Sequence, residues 1–363
     1  MHISHLSLKN FRSYSELELS LTPGITIFLG RNGEGKTNVV ESILYLAFLS
    51  SHRTSGDLPL VKLGESSAYT RARVQHPDRE ILVELEINAE KANRARINQN
   101  PIRSQKELFG LIQCIYFSPE DMDLVRGDPS ERRRFIDQIL TLRSPRLAGV
   151  ISDFERAVRQ RNALLKTRAH QSSLEPWDQQ VAKYGAEIVA ARMKLLKEFN
   201  PYFAKAYANI SVEKPAHIYY KSSIENPTIS PEENHQTIIE KMADIKSQEL
   251  DRGLTLVGPH RDDLVLYLGE HLVKGYASHG ESWSIALSLK LAAYELLINE
   301  GSKPILILDD VFSELDEERR AQLITLAKSA EQTFITVAVE GDLPPELFGT
   351  KFYVKNGSVK LHS

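Results

Sequence analysis

Gly30-Arg31-Asn32-Gly33-Glu34-Gly35-Lys36-Thr37 stands between a short apolar run, Ile25, Ile27, Phe28 and Leu29, and a helically spaced one, Val39, Val40, Ile43, Leu44 and Ala47. Glycines let such a turn tighten until its amides converge on one anion. A helix starting near Lys36 adds the positive end of its dipole. Lys36 supplies a point charge for β- and γ-phosphates, and the Thr37 hydroxyl is of the kind that ligates Mg²⁺. Strand, glycine-rich turn and helix in this order mark a phosphate loop. Residues Gly30, Arg31, Asn32, Gly33, Glu34, Gly35, Lys36 and Thr37 are its candidate nucleotide contacts.

The complementary acids lie near the other end of the chain, where Ile305-Leu306-Ile307-Leu308 runs into Asp309-Asp310. An apolar strand ending in carboxylates fits the edge of an α/β sheet where ligands bind. Asp309 is the candidate Mg²⁺ ligand and Asp310 the candidate catalytic group that polarises the attacking water. A compact phosphate-loop enzyme keeps these halves closer together, so a large insertion separates them. Before the acidic strand, Ser278-His279-Gly280-Glu281 precedes a helical stretch from about Ser282 to Asn299. Ser and Gly at a helix start direct a hydroxyl and amides toward a nearby phosphate. Ser313-Glu314-Leu315-Asp316 then follows the acids.

Phosphate loop, Ser-Gly element, acidic strand and Ser313–Asp316 loop come in the order of the ABC/SMC class of ATPase heads, which this chain resembles. Six further stretches narrow the resemblance to the RecF family: Leu8–Tyr14, Ser51–Thr54, Phe117–Asp121, Arg132–Phe135, Gly258–Asp263 and Leu308–Phe312. The resemblance implies ATP and Mg²⁺ as cofactors and a two-fold dimer in which Ser278 and the amides near Gly280 complete the partner's phosphate site. It implies binding of single-stranded, double-stranded and gapped DNA in the cytoplasm, and cooperation with RecR and RecO to place RecA. Arg12 and Asn32 match nucleotide-contacting positions of such heads. Gln113 is a candidate for the Mg²⁺-sensing loop, with an exposed strand-edge glutamine as the alternative. Gly258–Asp263 reads as structural rather than as a metal-hydrolysis site.

Three departures from the wider ABC pattern stand out. Asp310 replaces Glu and falls short by about 1.5 Å of reach, which implies slow turnover. The apolar strand 334–339 has no histidine after it, so a phosphate-sensing switch is absent. Glu281 stands where many relatives have Gln. The rival reading, an ABC subunit of a transporter, predicts that histidine and no arm. A DNA-cutting enzyme would need an acidic metal cluster that the sequence lacks.

With 363 residues and 42% hydrophobic content, the chain has material for two domains. Its single cysteine, Cys114, excludes an internal disulfide, and no apolar run is long enough to span a membrane. A net charge of −3 argues against a uniformly basic nucleic-acid binder. Residues 126–168 nevertheless hold eleven Lys or Arg against five acids, so Arg132, Arg133 and Arg134 are candidate DNA contacts. Apolar positions at 4-3 spacing from Leu147 to Leu165 and from Trp177 to Leu195 predict an antiparallel helical hairpin joined across 167–176, with Arg161 interrupting the first stripe. The expected fold is therefore α/β: an ABC/SMC-type phosphate-loop ATPase head with mixed sheets, formed by 1–125 and 250–363, carrying an inserted helical arm domain at 126–249. Alternating Leu17, Leu19 and Leu21, and Val83, Leu85 and Ile87, mark strands of the head, and Asn356-Gly357 marks a closing hairpin. Residues 222–235 read as a loop.

Overall fold

The computed structural model describes residues 1–54, 56–168, 170–211 and 214–362. The chain folds as two compact units, one of Met1–Asp121 with Ala293–Ser363 and one of Met122–Ala292.

In the first unit the apolar strands form a six-stranded sheet ordered Ser358–Leu361, Thr350–Lys355, Gly24–Leu29, Gln332–Val337, Ile305–Asp309 and Cys114–Phe117. Its inner strands are parallel, and only the Ser358–Leu361 edge is antiparallel, closed by the Asn356-Gly357 turn. Both turn residues have positive φ, 51° and 70°, which this hairpin type requires. Strands buried on both faces read as uninterrupted apolar runs. Residues Ile305 to Leu308 accordingly have 0% exposure. The register pairs Leu29 with Val337, Thr336 with Asp309, and Leu308 with Phe117, so the carboxyl ends of four strands meet at one edge.

A second sheet, antiparallel throughout, runs Tyr14–Ser20, His2–Phe11, Ser67–Gln75, Glu80–Asn88, Arg94–Ile97 and Asn100–Pro101. Helix Lys36–Phe48 shares one core with both sheets, among residues such as Leu6, Val83, Phe28 and Ile43. Ten of its thirteen residues are buried, which is why its sequence shows no polar face. Gln332 ties the sheets together by accepting from Ile3 N at 2.8 Å and donating to Ile3 O at 2.9 Å.

The second unit contains the expected hairpin, with two corrections. Its helices are Arg146–Lys166 and Gln171–Ala208, so the connection is shorter than 167–176. The second helix continues through Pro176 and Pro201, and its start is capped by the His170 ring accepting from Ser172 N. Arg161 is 2% exposed and sits at the centre of a buried network: it donates to Asp178 at 2.6 Å, Glu249 at 2.6 Å and Thr255 at 3.0 Å. The predicted loop 222–235 ends early, because Ser230 caps helix Pro231–Asp244 by accepting from Glu233 N.

The return boundary also moves from residue 250 to Ala292. Strand Asp263–Leu268 pairs along its whole length with Ala216–Lys221 and so belongs to the second unit. Among the described residues no helix is long and apolar enough to cross a membrane.

Candidate nucleotide site

The phosphate loop leaves strand Gly24–Leu29 at the shared carboxyl edge and enters helix Lys36–Phe48. Gly35 has φ 112°, and a Cβ there would lie 2.9 Å from Ser13 Oγ and 3.0 Å from the Tyr14 hydroxyl oxygen. That hydroxyl donates to Gly35 O at 3.0 Å and holds the turn. At Gly30 a Cβ would meet Val354 O at 2.3 Å, so the first glycine is required by packing against the neighbouring strand. Lys36 is 3% exposed; its Nζ donates to Asn32 Oδ1 at 3.4 Å and pairs with Asp310 Oδ2 at 3.6 Å. Glu34 accepts from Asn356 N at 2.5 Å and fastens the loop to the C-terminal hairpin, while Arg31 is exposed.

Asp309 ends its strand at 5% exposure, with three hydroxyls on its carboxylate. Thr37 donates to Oδ1 at 3.1 Å, Thr336 donates to the same oxygen at 2.5 Å, and Tyr116 donates to Oδ2 at 3.3 Å. Burial pushes the Asp309 carboxyl up to about 6, with the neighbouring Asp310 charge acting the same way and the hydroxyls opposing it. A buried carboxylate that resists ionisation, next to a threonine hydroxyl in the first turn of a helix, is an oxygen donor set suited to a hard divalent cation. Thr37 and Asp309 thus fit Mg²⁺.

Asp310 takes a left-handed φ of 51°, and its amide bonds both Thr336 O and Thr336 Oγ1 at 3.1 Å. Its side chain, with Asn32, Pro119, Ser313 and Glu314, lines an open cleft. Ser313 Oγ donates to Asp310 O at 3.2 Å, tying the following loop to the acid.

In the second unit, Ser278 and Gly280 open helix His279–Asn299. Glu281 accepts from Ser278 N at 2.8 Å and Ser278 Oγ accepts from Glu281 N at 3.2 Å, a reciprocal cap. These bonds hold the Glu281 carboxyl below its usual range. They explain the glutamate as a capping residue. Arg126 donates to Ser282 Oγ at 3.3 Å beside this cap.

Several expected site residues lie elsewhere. Gln113 precedes strand Cys114–Phe117, whose far end neighbours Leu308 and Asp309, so roughly 13 Å of extended chain separates it from the metal position. The Mg²⁺-ligand assignment for Gln113 is corrected on that ground. Arg12 donates to the buried Glu41 carboxylate at 2.8 and 2.6 Å and to Pro59 O at 2.9 Å, which uses three of the five N–H groups of its guanidinium within the head.

Arg132 is 5% exposed, clamped on Asp263 at 2.8 and 3.1 Å, and donates to Gly127 O, which removes it from the DNA path. Arg133 is half-buried and donates to Asp262 O at 2.8 Å. Only Arg134 is exposed, paired with Glu131 at 2.9 Å. Asp262 accepts from Tyr220 and from Ser223 N, so Gly258–Asp263 is a structural knot, and no acidic or histidine cluster able to hold a metal occurs among the described residues. Tyr116 and Thr336 escaped the sequence reading, and His52, whose ring nitrogen Nε2 is 2.9 Å from the Tyr116 oxygen, entered it only within the Ser51–Thr54 stretch, because nothing local links them to Asp309.

Residues 2–343 match the family described as RecF/RecN/SMC N terminal domain. The DNA replication and repair protein RecF of Streptomyces avermitilis is 47% identical, covering 99% of this chain and 100% of that one. The chain belongs to the RecF family. The RecF of Rhodococcus erythropolis is also 47% identical, over 98% of this chain and 94% of that protein. A solved structure of the recombination mediator protein RecF-ATP in the RecFOR pathway superposes with a TM-score of 0.91 at 27% identity, covering 100% of this chain and 98% of that one. An Smc head bound to the C-winged helix domain of ScpA superposes at 0.57 with 17% identity, over 100% of this chain and 98% of that one, a likeness of fold alone. The RecF-family fold is thus an SMC-type ATPase head, and these relatives are DNA replication and repair proteins rather than transport subunits.

Proposed function

We propose that this RecF-family chain is an ATP-driven DNA-binding switch in which each nucleotide site is completed by a second copy. The observation that carries the reading is the meeting of Lys36, Thr37, Asp309 and Asp310 at one sheet edge. Lys36 and the loop amides bind the β- and γ-phosphates, and Thr37 and Asp309 would hold Mg²⁺. When bound, Mg²⁺ neutralises charge on the phosphate oxygens. Asp310 orients water and draws its proton as the oxygen attacks the γ-phosphorus, while the bond from that phosphorus to the β,γ-bridging oxygen breaks and ADP leaves. Ser278 and the amides at Gly280, from the partner copy, would cap the γ-phosphate, so two nucleotides join two subunits across an isologous interface. Hydrolysis removes that link, and DNA that favours the closed dimer shifts the balance toward it.

The pathway of its solved relative supports the finer role: binding gapped or junction DNA and assisting RecO and RecR in placing RecA. Arg134 is the remaining member of the basic triplet for the DNA track, as a phosphate contact without base readout. Two variants test the shared site. Lys36→Ala is expected to abolish ATP binding, whereas Ser278→Arg keeps binding by the isolated subunit and loses ATP-dependent dimers in sedimentation. Equal loss of nucleotide affinity in both rejects the reading.

A further inference from the structure

We infer that Tyr116 and His52 are positioning residues that set the orientation of the Asp309 carboxylate for Mg²⁺. The inference rests on the reading of Asp309 as a metal ligand. Rotation about the bond to a carboxylate is soft, so an aspartate at a strand end presents a fixed lone pair only when its oxygens are held. Thr336 holds Oδ1 and Tyr116 holds Oδ2. Tyr116 has a single hydroxyl proton, and both Asp309 at 3.3 Å and His52 Nε2 at 2.9 Å stand within reach of its oxygen. When His52 donates from Nε2 to the tyrosine oxygen, that proton is directed to Asp309.

The histidine is itself braced. Its ring lies against Tyr116 with centroids 4.6 Å apart. Its loop is pinned to helix Lys36–Phe48: Ser51 Oγ donates to the buried Glu41 at 2.6 Å and accepts from Arg53 N and Thr54 N. The helix that supplies Thr37 therefore also anchors the loop of the histidine that acts on Asp309 through Tyr116.

The test uses the full chain with ATP and reads Mn²⁺ affinity by electron paramagnetic resonance, alongside ATP binding in EDTA and thermal melting. Tyr116→Phe is expected to weaken Mn²⁺ about tenfold and to alter the Mn²⁺ signal, with metal-free ATP binding and melting unchanged. His52→Ala shifts Mn²⁺ affinity the same way, and His52→Gln, which keeps an N–H for the tyrosine oxygen, restores most of it. Unchanged Mn²⁺ affinity in Tyr116→Phe, with Asp309→Asn losing it, overturns the positioning role and leaves Asp309 as the ligand. Unchanged affinity in Asp309→Asn overturns both readings. Loss of metal-free ATP binding or of the fold in step with Mn²⁺ affinity shows Tyr116 to be a packing residue and also overturns the inference.

Discussion

Lys36 Nζ lies 3.6 Å from Asp310 Oδ2, so the cation proposed to bind phosphate and the acid proposed to polarise water are each other's counter-ions. A γ-phosphate entering this site competes with Asp310 for the ammonium and meets its negative charge. Asp310→Asn is therefore expected to tighten ATP binding roughly three- to tenfold while slowing hydrolysis by about a hundredfold or more. Equilibrium binding and single-turnover hydrolysis check the two effects separately. Weaker binding in the variant would show that Asp310 supports the lysine rather than opposing the nucleotide.

Burial raises Asp309 from 3.8 to about 6. A raised folded value stabilises fully below the unfolded one and loses that contribution as pH climbs through about 6, because the ionised carboxylate then stays buried. Asp309→Asn, neutral at every pH, is expected to melt higher than the native protein near pH 8 in Mg²⁺-free buffer, by the equivalent of about 3 kcal/mol, and to match it near pH 4. Mg²⁺ competes with the same proton, so its affinity in the ATP complex should fall about tenfold per pH unit below 6. A melting difference independent of pH would remove ionisation as its cause.

Arg132 and Arg134 are two positions apart but face different surroundings. Arg132→Ala leaves Asp263 partly buried without its partner and is expected to cost about 3 kcal/mol of stability in denaturant unfolding. Arg134→Ala should leave stability within about 0.5 kcal/mol and lower the slope of DNA affinity against salt by about one. An unchanged slope takes Arg134 off the DNA path.

The phosphate loop and the acidic strand were legible because their chemistry is local: the glycines, lysine and threonine are consecutive, and the apolar run announces a strand covered on both faces. The return boundary was not, since alternation shows that 263–268 is a strand but not that Ala216–Lys221 is its neighbour. Two of the three hydroxyls around Asp309 were invisible for the same reason: Tyr116 comes from 193 positions away and Thr336 from a strand whose register no pattern encodes. Gln113 was placed by analogy to a loop, but strand polarity puts it at the other sheet edge. Glu281 looked anomalous until its bonds to Ser278 showed a helix cap.

Arg161, an interruption in an apolar stripe, joins the hairpin to helix Lys246–Arg252 through Asp178 and Glu249. Glu249 is 0% exposed, so Arg161→Ala strands a buried carboxylate and is expected to destabilise the protein by about 3–5 kcal/mol. Replacing Arg161, Asp178 and Glu249 together with apolar residues should recover much of that loss. Failure of the triple variant to recover stability would show that the ions specify packing that apolar residues cannot reproduce.

The shared nucleotide site is tested most directly by the rate of ATP hydrolysis per subunit across protein concentration, with association followed by light scattering. A site completed by a second copy predicts a per-subunit rate that rises with concentration, tracks the dimer fraction and vanishes at high dilution. A per-subunit rate that stays constant down to concentrations where every subunit is alone would contradict it.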